Sequence, residues 1–348
     1  MTSIKLFRAK VLVQISWSLI QNYKQMKKTI PYIFAAIAVV ATITFLSLSN
    51  NDSEKVELER PQVLSMTASV DVPGEMTFAG EKIAFDRYDL HERMDRELNS
   101  FTYFHSTTLL LFKRANRIFP VIEPILKREG IPDDLKYLAV IESSLDPRAV
   151  SPARAAGLWQ IMSGTAQELG LEVSSEVDER YHIGKSTVAA SRYLKNAYRM
   201  YGSWSAAALS YNGGQRRITN ELGNQQTDNA LDLWLVEETT RYYFRMLAIK
   251  TLFENPSQYG FVLRGDQLHK PMEFKEVSVS SAIPSLVSFA KDNGITYAQL
   301  KDFNSWLRDT KLTNKSGKNY TFLIPTRESL YYKKGEKIKI HDERWVTE

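Results

Sequence analysis

Residues 132–147 read PDDLKYLAVIESSLDP, and the rest of the chain is read outward from this stretch. Pro132 suits the first turn of a helix, where its missing N–H costs nothing. Asp133 and Asp134 suit the positive end of the helix dipole. Leu135, Leu138, Ala139 and Ile141 follow at helical spacing, and Pro147 is predicted to stop the helix. A carboxyl group, Glu142, therefore lies at the end of an apolar helix. Burial and the negative end of the dipole both favour its protonated form, which suits a general acid near neutral pH. A lone glutamate at a helix end is ordinarily a surface residue, so the neighbouring motifs decide the matter.

Three of them follow within about a hundred residues. They are Gly157-Leu158-Trp159-Gln160-Ile161-Met162, then Ala208-Leu209-Ser210-Tyr211-Asn212-Gly213-Gly214, then Glu238-Thr239-Thr240-Arg241-Tyr242. Gln160 and Asn212 are amides inside apolar runs, where an unbonded polar group is costly. The surrounding pattern is helical. Leu90, Met94, Leu98 and Phe101 recur at three- and four-residue steps, and a second apolar run covers 109–119. Thr165-x-x-Glu168 has the form of a capping box opening a helix that Gly170 closes. Residues 185–200 and 240–253 read as two more helices. The chain is predicted to be mainly α, with no strand pattern between 120 and 262.

Other chemistries are excluded by absence of their motifs. The five histidines (His91, His105, His182, His269, His341) form no HExxH and no pair at metal spacing. There is no GxSxG, GxxxxGK[ST] or GxGxxG sequence. With no cysteine there is no thiol nucleophile, thiolate metal site or disulfide. No metal and no cofactor are expected.

Taken in order, the polar motifs resemble the goose-lysozyme-like transglycosylase domain of the soluble-lytic-transglycosylase family. That pattern runs E-S-x-x-x-P, a Ser, G-L-x-Q-x-M, [AS]-Y-N-x-G and E-T-x-x-Y. It is met here by Glu142-Ser143 with Pro147, Ser151, Gly157–Met162, Ser210–Gly214 and Glu238-Thr239 with Tyr242, over roughly residues 85–262. Leu145, Ser163, His182-Ile183 and Gly213 depart from it without touching the acid.

The resemblance implies a lysozyme-like (goose-type) helical catalytic domain that cuts peptidoglycan glycan strands, with Glu142 as its single catalytic acid and base. It implies a substrate-binding set of Ser143, Ser151, Gln160, Met162, Tyr211, Asn212 and Tyr242. Ser151 and Gln160 would hold polar groups of the sugar, and Met162 would form a wall of the cleft. Tyr211 and Asn212 would flank the acid, and Tyr242 would orient the substrate. An ordinary glycosidase brings a second carboxylate to the bond. Asp146 reads as a turn residue, Asp178 and Glu179 as solvated, and Glu238 as structural by the resemblance. With one carboxylate, the resemblance implies closure of the muramic acid to a 1,6-anhydro ring. A lysozyme-type hydrolase and a non-catalytic wall-binding scaffold are the rival readings.

Residues 274–325 read strand, helix, helix, strand, and resemble a divergent LysM module, a small α+β fold that grips N-acetylglucosamine chains. The supporting residues are Ile283, Leu286, Phe289, Ala290, Gly294-Ile295-Thr296, Leu300, Phe303-Asn304, Trp306-Leu307 and Tyr320 to Pro325. Lys333–Lys339 reads as a solvated basic face.

The net charge of +5 is unevenly placed. Residues 1–29 carry Lys5, Arg8, Lys10, Lys24, Lys27 and Lys28 and no acid, so the remaining body sums to −1. A nucleic-acid-binding body is thereby excluded. Residues 30–49 (IPYIFAAIAVVATITFLSLS) hold no charge and match a bilayer core in length. The positive-inside rule places residues 1–29 in the cytoplasm and the body on the periplasmic side of the inner membrane. A cleaved signal segment would leave the body periplasmic as well. The expected divisions are a basic tail (1–29), an anchor or signal segment (30–49), a linker (50–83), the catalytic domain (84–262), the LysM-like module (270–326) and a C-terminal tail (327–348). Glycan strands and the inner membrane are the expected partners, and the sequence names no protein partner.

Overall fold

A computed structural model describes residues 68–347, with Trp17 apart from them. The segments expected at 1–29 and 30–49 lie outside the described residues. Among the described residues, no helix is long and apolar enough to cross a membrane.

Helix α1 (Tyr88–Tyr103) buries Leu90, Met94, Leu98 and Phe101 along one stripe. Helix α2 (His105–Arg128) buries Leu111, Phe112, Ala115, Ile118, Phe119, Ile122 and Leu126. Its two prolines, Pro120 and Pro124, sit on the exposed side. Helix α3 (Lys136–Ser143) carries Glu142 and is preceded by a 3₁₀ turn at Asp133–Leu135. It is followed by α4 (Ser163–Glu168), α5 (Ile183–Tyr201), α6 (Trp204–Gly213), α7 (Gln215–Asn224) and α8 (Glu237–Glu254). From Tyr242 to Phe253, α8 is buried on all sides except at Arg245, as a helix at the centre of a bundle must be. Helices α1, α3 and α6 all pack on it.

The structure corrects three local expectations. Helix α3 stops at Ser143, before Pro147, because Ser144 and Leu145 both turn left-handed (φ 53° and 57°). Thr165 lies inside α4, which begins at Ser163, so its capping box does not open that helix. Gly170 (φ 87°) does follow the helix end. Part of the expected linker is folded. Residues 75–84 form a hairpin, β1 (Glu75–Phe78) with β2 (Glu81–Ala84), that buries Phe78 and Ile83 in the core. Its turn at Ala79-Gly80 takes positive φ at both residues, and Ala79 N–H donates to the Asp134 carboxylate at 2.7 Å. Glu81 accepts from the N–H groups of Trp204 and Ser205 and so caps the start of α6. The alternation of Met76, Phe78 and Ile83 with polar residues carried the strand signal, over a length too short to stand out.

The C-terminal module has the expected order: β3 (Phe274–Val279), α9 (Leu286–Asp292), α10 (Tyr297–Phe303) and β4 (Tyr320–Pro325). The two strands are antiparallel, with Phe274 opposite Pro325 and Val279 opposite Tyr320. Ser285 and Thr296 cap the two helices by accepting backbone N–H bonds. Leu286, Ala290, Leu300, Leu307, Phe322 and Ile324 form its core, which Ala156, Val177 and Tyr181 of the helical domain join. Asp178 N–H donates to Trp306 O and Arg308 N–H to Glu176 O, both at 2.8 Å. Asp178 and Glu179, expected to be solvated, are buried at this junction.

The tail also departs from expectation. After a short helical turn, α11 (Arg327–Leu330), the chain runs back over the helical domain. Lys333, Lys334, Lys337 and Lys339 are exposed as expected, but Ile338 and Trp345 are buried. Asn116 of α2 fastens the strap, donating to His269 O and Lys339 O and accepting from His341 N–H. Trp345 packs among Phe112, Phe119 and Phe253, and its ring N–H donates to Phe253 O at 3.0 Å.

Candidate active site

The left-handed pair Ser144-Leu145 ends α3 one residue after Glu142 and turns the chain sharply away. Two non-glycine residues in that region cost on the order of 1–2 kcal/mol each. Leu145 is fully buried, which contributes roughly 1.5–3 kcal/mol, and Arg114 donates to Ser144 O at 2.8 Å. These interactions offset the strain and hold the last turn of α3 in place.

Glu142 is half-buried there. Burial is the main influence on its carboxyl group and pushes its pKa up from 4.5 to about 7. The Tyr242 hydroxyl donates to Oε1 at 2.6 Å, which favours the carboxylate and holds the rise in check, with help from Arg245. Glu238 acts the other way through its charge. One carboxyl group is thus poised between donor and acceptor near neutral pH, with one oxygen fixed by a tyrosine. No other carboxylate hydrogen-bonds to it among the described residues. Asp146 lies beyond the turn, beside Arg114 (3.9 Å) and Arg148 (3.8 Å).

The loop from Ser151 to Met162 is built by backbone geometry. Small bridges pair Val150 with Ala156 and Ala156 with Ile161. Gly157 has φ 79°, and a Cβ there would stand 1.9 Å from Arg180 O, so only glycine fits. Gln160 is itself left-handed (φ 46°), and its amide nitrogen donates to Ala149 O at 3.1 Å and Gly157 O at 2.8 Å. Its amide oxygen has no partner among the described residues. Trp159 is fully buried, with its ring N–H donating to Thr187 Oγ1, and its carbonyl accepts from the Tyr211 hydroxyl at 2.7 Å. Ser151 Oγ accepts from Ala155 N–H at 3.0 Å, and Met162 is exposed at the loop's end.

Tyr211 and Asn212 come from the last turn of α6. Tyr211 lies close enough to Glu142 to feel its charge. The Thr239 hydroxyl donates to Asn212 Oδ1 at 2.9 Å, which points the amide's donor end elsewhere; Nδ2 has no partner among the described residues. Gly213 permits this approach, since a Cβ there would already stand 3.2 Å from Thr239 Cγ2.

The fold thus brings Glu142, Tyr242, Tyr211 and Asn212 together, with Gln160, Ser151 and Met162 on the adjoining loop. Ser143 does not join them. It is buried, and its hydroxyl donates to Ala139 O one turn back. Sequence reasoning missed two contributors. Thr239 orients Asn212; the E-T-x-x-Y motif contained it, but nothing in that pattern assigned it the role. Arg180, paired with buried Asp178 at 2.7 Å, ties Arg154 O and Ile161 O across the back of the loop. Among the described residues no cluster fit for a metal occurs.

Tyr242→Phe removes the hydrogen bond that stabilises the charged form of Glu142. Its pKa is expected to rise further, and the alkaline limb of kcat/KM to move to higher pH. A limb that stays in place, measured on soluble glycan fragments, would contradict this assignment.

Comparison with known proteins places names on this arrangement. Residues 119–233 match the transglycosylase SLT domain, and residues 275–328 match the soluble lytic transglycosylase C-terminal LysM-like domain. The chain is 29% identical over 245 residues to membrane-bound lytic murein transglycosylase D of Escherichia coli (strain K12), covering 69% of this chain and 52% of that protein. It is 25% identical over 185 residues to membrane-bound lytic murein transglycosylase C of Pectobacterium atrosepticum, covering 47% and 51%. The chain spans about half the length of these relatives. Among solved structures it is similar to the 70 kDa soluble lytic transglycosylase of Escherichia coli, with 23% identity, a TM-score of 0.34, and coverage of 40% of this chain and 23% of that one.

Proposed function

We propose that this chain, which carries a transglycosylase SLT domain and a LysM-like module, cuts peptidoglycan glycan strands at the β-1,4 bond between N-acetylmuramic acid and N-acetylglucosamine, leaving a 1,6-anhydro end. The observation that carries the reading is one half-buried carboxyl group, held through one oxygen by the Tyr242 hydroxyl at 2.6 Å and pushed up to about 7 by burial, with no other carboxylate hydrogen-bonded to it among the described residues.

Protonated Glu142 donates to the glycosidic oxygen as that bond breaks, and the departing N-acetylglucosamine takes the proton as a hydroxyl group. Among the described residues no second carboxylate hydrogen-bonds to Glu142, so the substrate's own N-acetyl group meets the developing cation on the muramic ring. Asn212 Nδ2, oriented by Thr239, is the donor suited to hold that group in position. Glu142, now a carboxylate, takes the proton from the 6-hydroxyl as its oxygen closes on C1. The enzyme returns to its starting state without consuming water. Tyr242 stays bonded to Oε1 throughout and leaves the other oxygen for both transfers.

Gln160, Ser151 and Met162 support substrate binding along the loop, and Tyr211 fixes that loop through Trp159 O. Anchorage to the inner membrane through residues 30–49, with the body on the periplasmic side, belongs to the same proposal and rests on the charge pattern of the sequence. Mass spectrometry of digested peptidoglycan tests the chemistry. Anhydro-muropeptides are expected; products heavier by one water, with free reducing ends, would instead establish a hydrolase.

A further inference from the structure

Trp234 is the most exposed large apolar side chain of the helical domain, at 82%. Its backbone is nevertheless held on both sides. Gln225, at the end of α7, accepts from Trp234 N–H at 2.8 Å and donates to Trp234 O at 3.0 Å, and is itself bonded to Glu221. The preceding turn is fastened by Arg87, which bonds Asp232 and Leu231 O. A rigid loop therefore presents an indole to solvent.

Beneath it, between α1 and the first turns of α8, lies a cavity of about 360 Å³. Phe244 forms part of its lining, with Arg93 over the ring at 5.9 Å. Its rim is charged but balanced. Arg96 pairs with Glu237 (2.5 Å), Arg241 with Glu97 (2.6 Å), and Arg93 lies 3.7 Å from Asp89. An isolated anion would have to break these pairs. A neutral, hydroxyl-rich ring can stack on an indole, accept hydrogen bonds from the paired arginines and donate to the carboxylates without doing so.

The cavity also shares a helix with the catalytic acid. Glu237, Thr240, Arg241 and Phe244 line it, while Thr239 and Tyr242, between them in sequence, face Asn212 and Glu142. Glu237 is on the cavity wall, and its neighbour Glu238 is near enough to Glu142 to shift its proton affinity.

We propose that this cavity is a saccharide subsite away from the bond that is cut, with Trp234 as the stacking platform for an N-acetylhexosamine ring of the same strand; the identity of the strand rests on the proposed function. The backbone of the platform is hydrogen-bonded on both sides before binding, so little backbone freedom is lost when a sugar docks.

The test uses the full chain labelled with 5-fluorotryptophan and chitopentaose as the probe. The fluorine resonance of Trp234 is identified by its loss in Trp234→Phe. It is expected to shift saturably with chitopentaose and to stay in place with a free stem peptide. In cleavage assays, Trp234→Ala is expected to raise KM for long strands about tenfold at unchanged kcat. A resonance that ignores chitopentaose up to about 10 mM, or that follows the peptide instead, overturns the subsite. Chitopentaose contains no muramic acid, so the shift is read without cleavage. A chain that binds it yet cuts no peptidoglycan refutes the proposed reaction and leaves the subsite standing.

Discussion

Glu142→Gln is expected to lower peptidoglycan cleavage by at least roughly 10²–10⁴-fold, the usual contribution of a positioned general acid and base. The amide keeps the size of the side chain and can still accept from Tyr242, so binding of glycan is expected to persist. The fold should benefit. The pKa of Glu142 is raised to about 7 from 4.5, so between these values the folded chain keeps a proton that the unfolded chain releases. Its contribution to stability is present below the unfolded value and is lost as pH rises through the folded one. The variant carries no such loss, and its Tm relative to the parent is expected to climb between about pH 5 and about pH 8. Equal clearing of murein by both forms would remove Glu142 from the mechanism and favour a wall-binding scaffold. A flat Tm difference across that range would remove the raised pKa.

Trp345→Ala carries the largest expected cost in stability, about 3–5 kcal/mol, because it empties a site filled by an aromatic ring. The substitution would leave a void among Phe112, Phe119 and Phe253 and strip Phe253 O of its donor. For a domain of this size the midpoint should fall on the order of 10 °C by calorimetry. Tyr332→Ala, at a residue 60% exposed in the same strap, is the control and should change stability by only about 0.5 kcal/mol. Equal effects at both positions would mean that the strap contributes no core.

The helices of the catalytic domain and the strand–helix–helix–strand order of the C-terminal module were legible because their apolar residues recur over enough turns to set a period. Glu142, Tyr211, Asn212 and Tyr242 were legible as motifs. Gln160 was singled out by the cost of an unbonded amide, and its side chain is indeed bonded, to two carbonyls. What stayed hidden depends on partners that no apolar period announces, some of them near in sequence and some far. The hairpin at 75–84 is too short to show alternation against a polar background. Asp178 and Glu179 look solvated until Arg180, Lys185 and Lys318 arrive as partners. Ser143 matched a motif, yet its hydroxyl serves its own helix. The strap at 331–347 holds few apolar residues, and its burial rests on Ile338 and Trp345, which no local pattern announces.

The route of that strap has a consequence for biogenesis. The C-terminal module is spliced between two stretches that complete one shared interior, so the helical domain is discontinuous in the order of synthesis. A nascent chain must make and release the whole module before the interior behind α2 and α8 can close. Proteolytic clipping or a stop codon anywhere between residues 331 and 344 would then strip the helical domain of its final plug, without touching a single residue near Glu142.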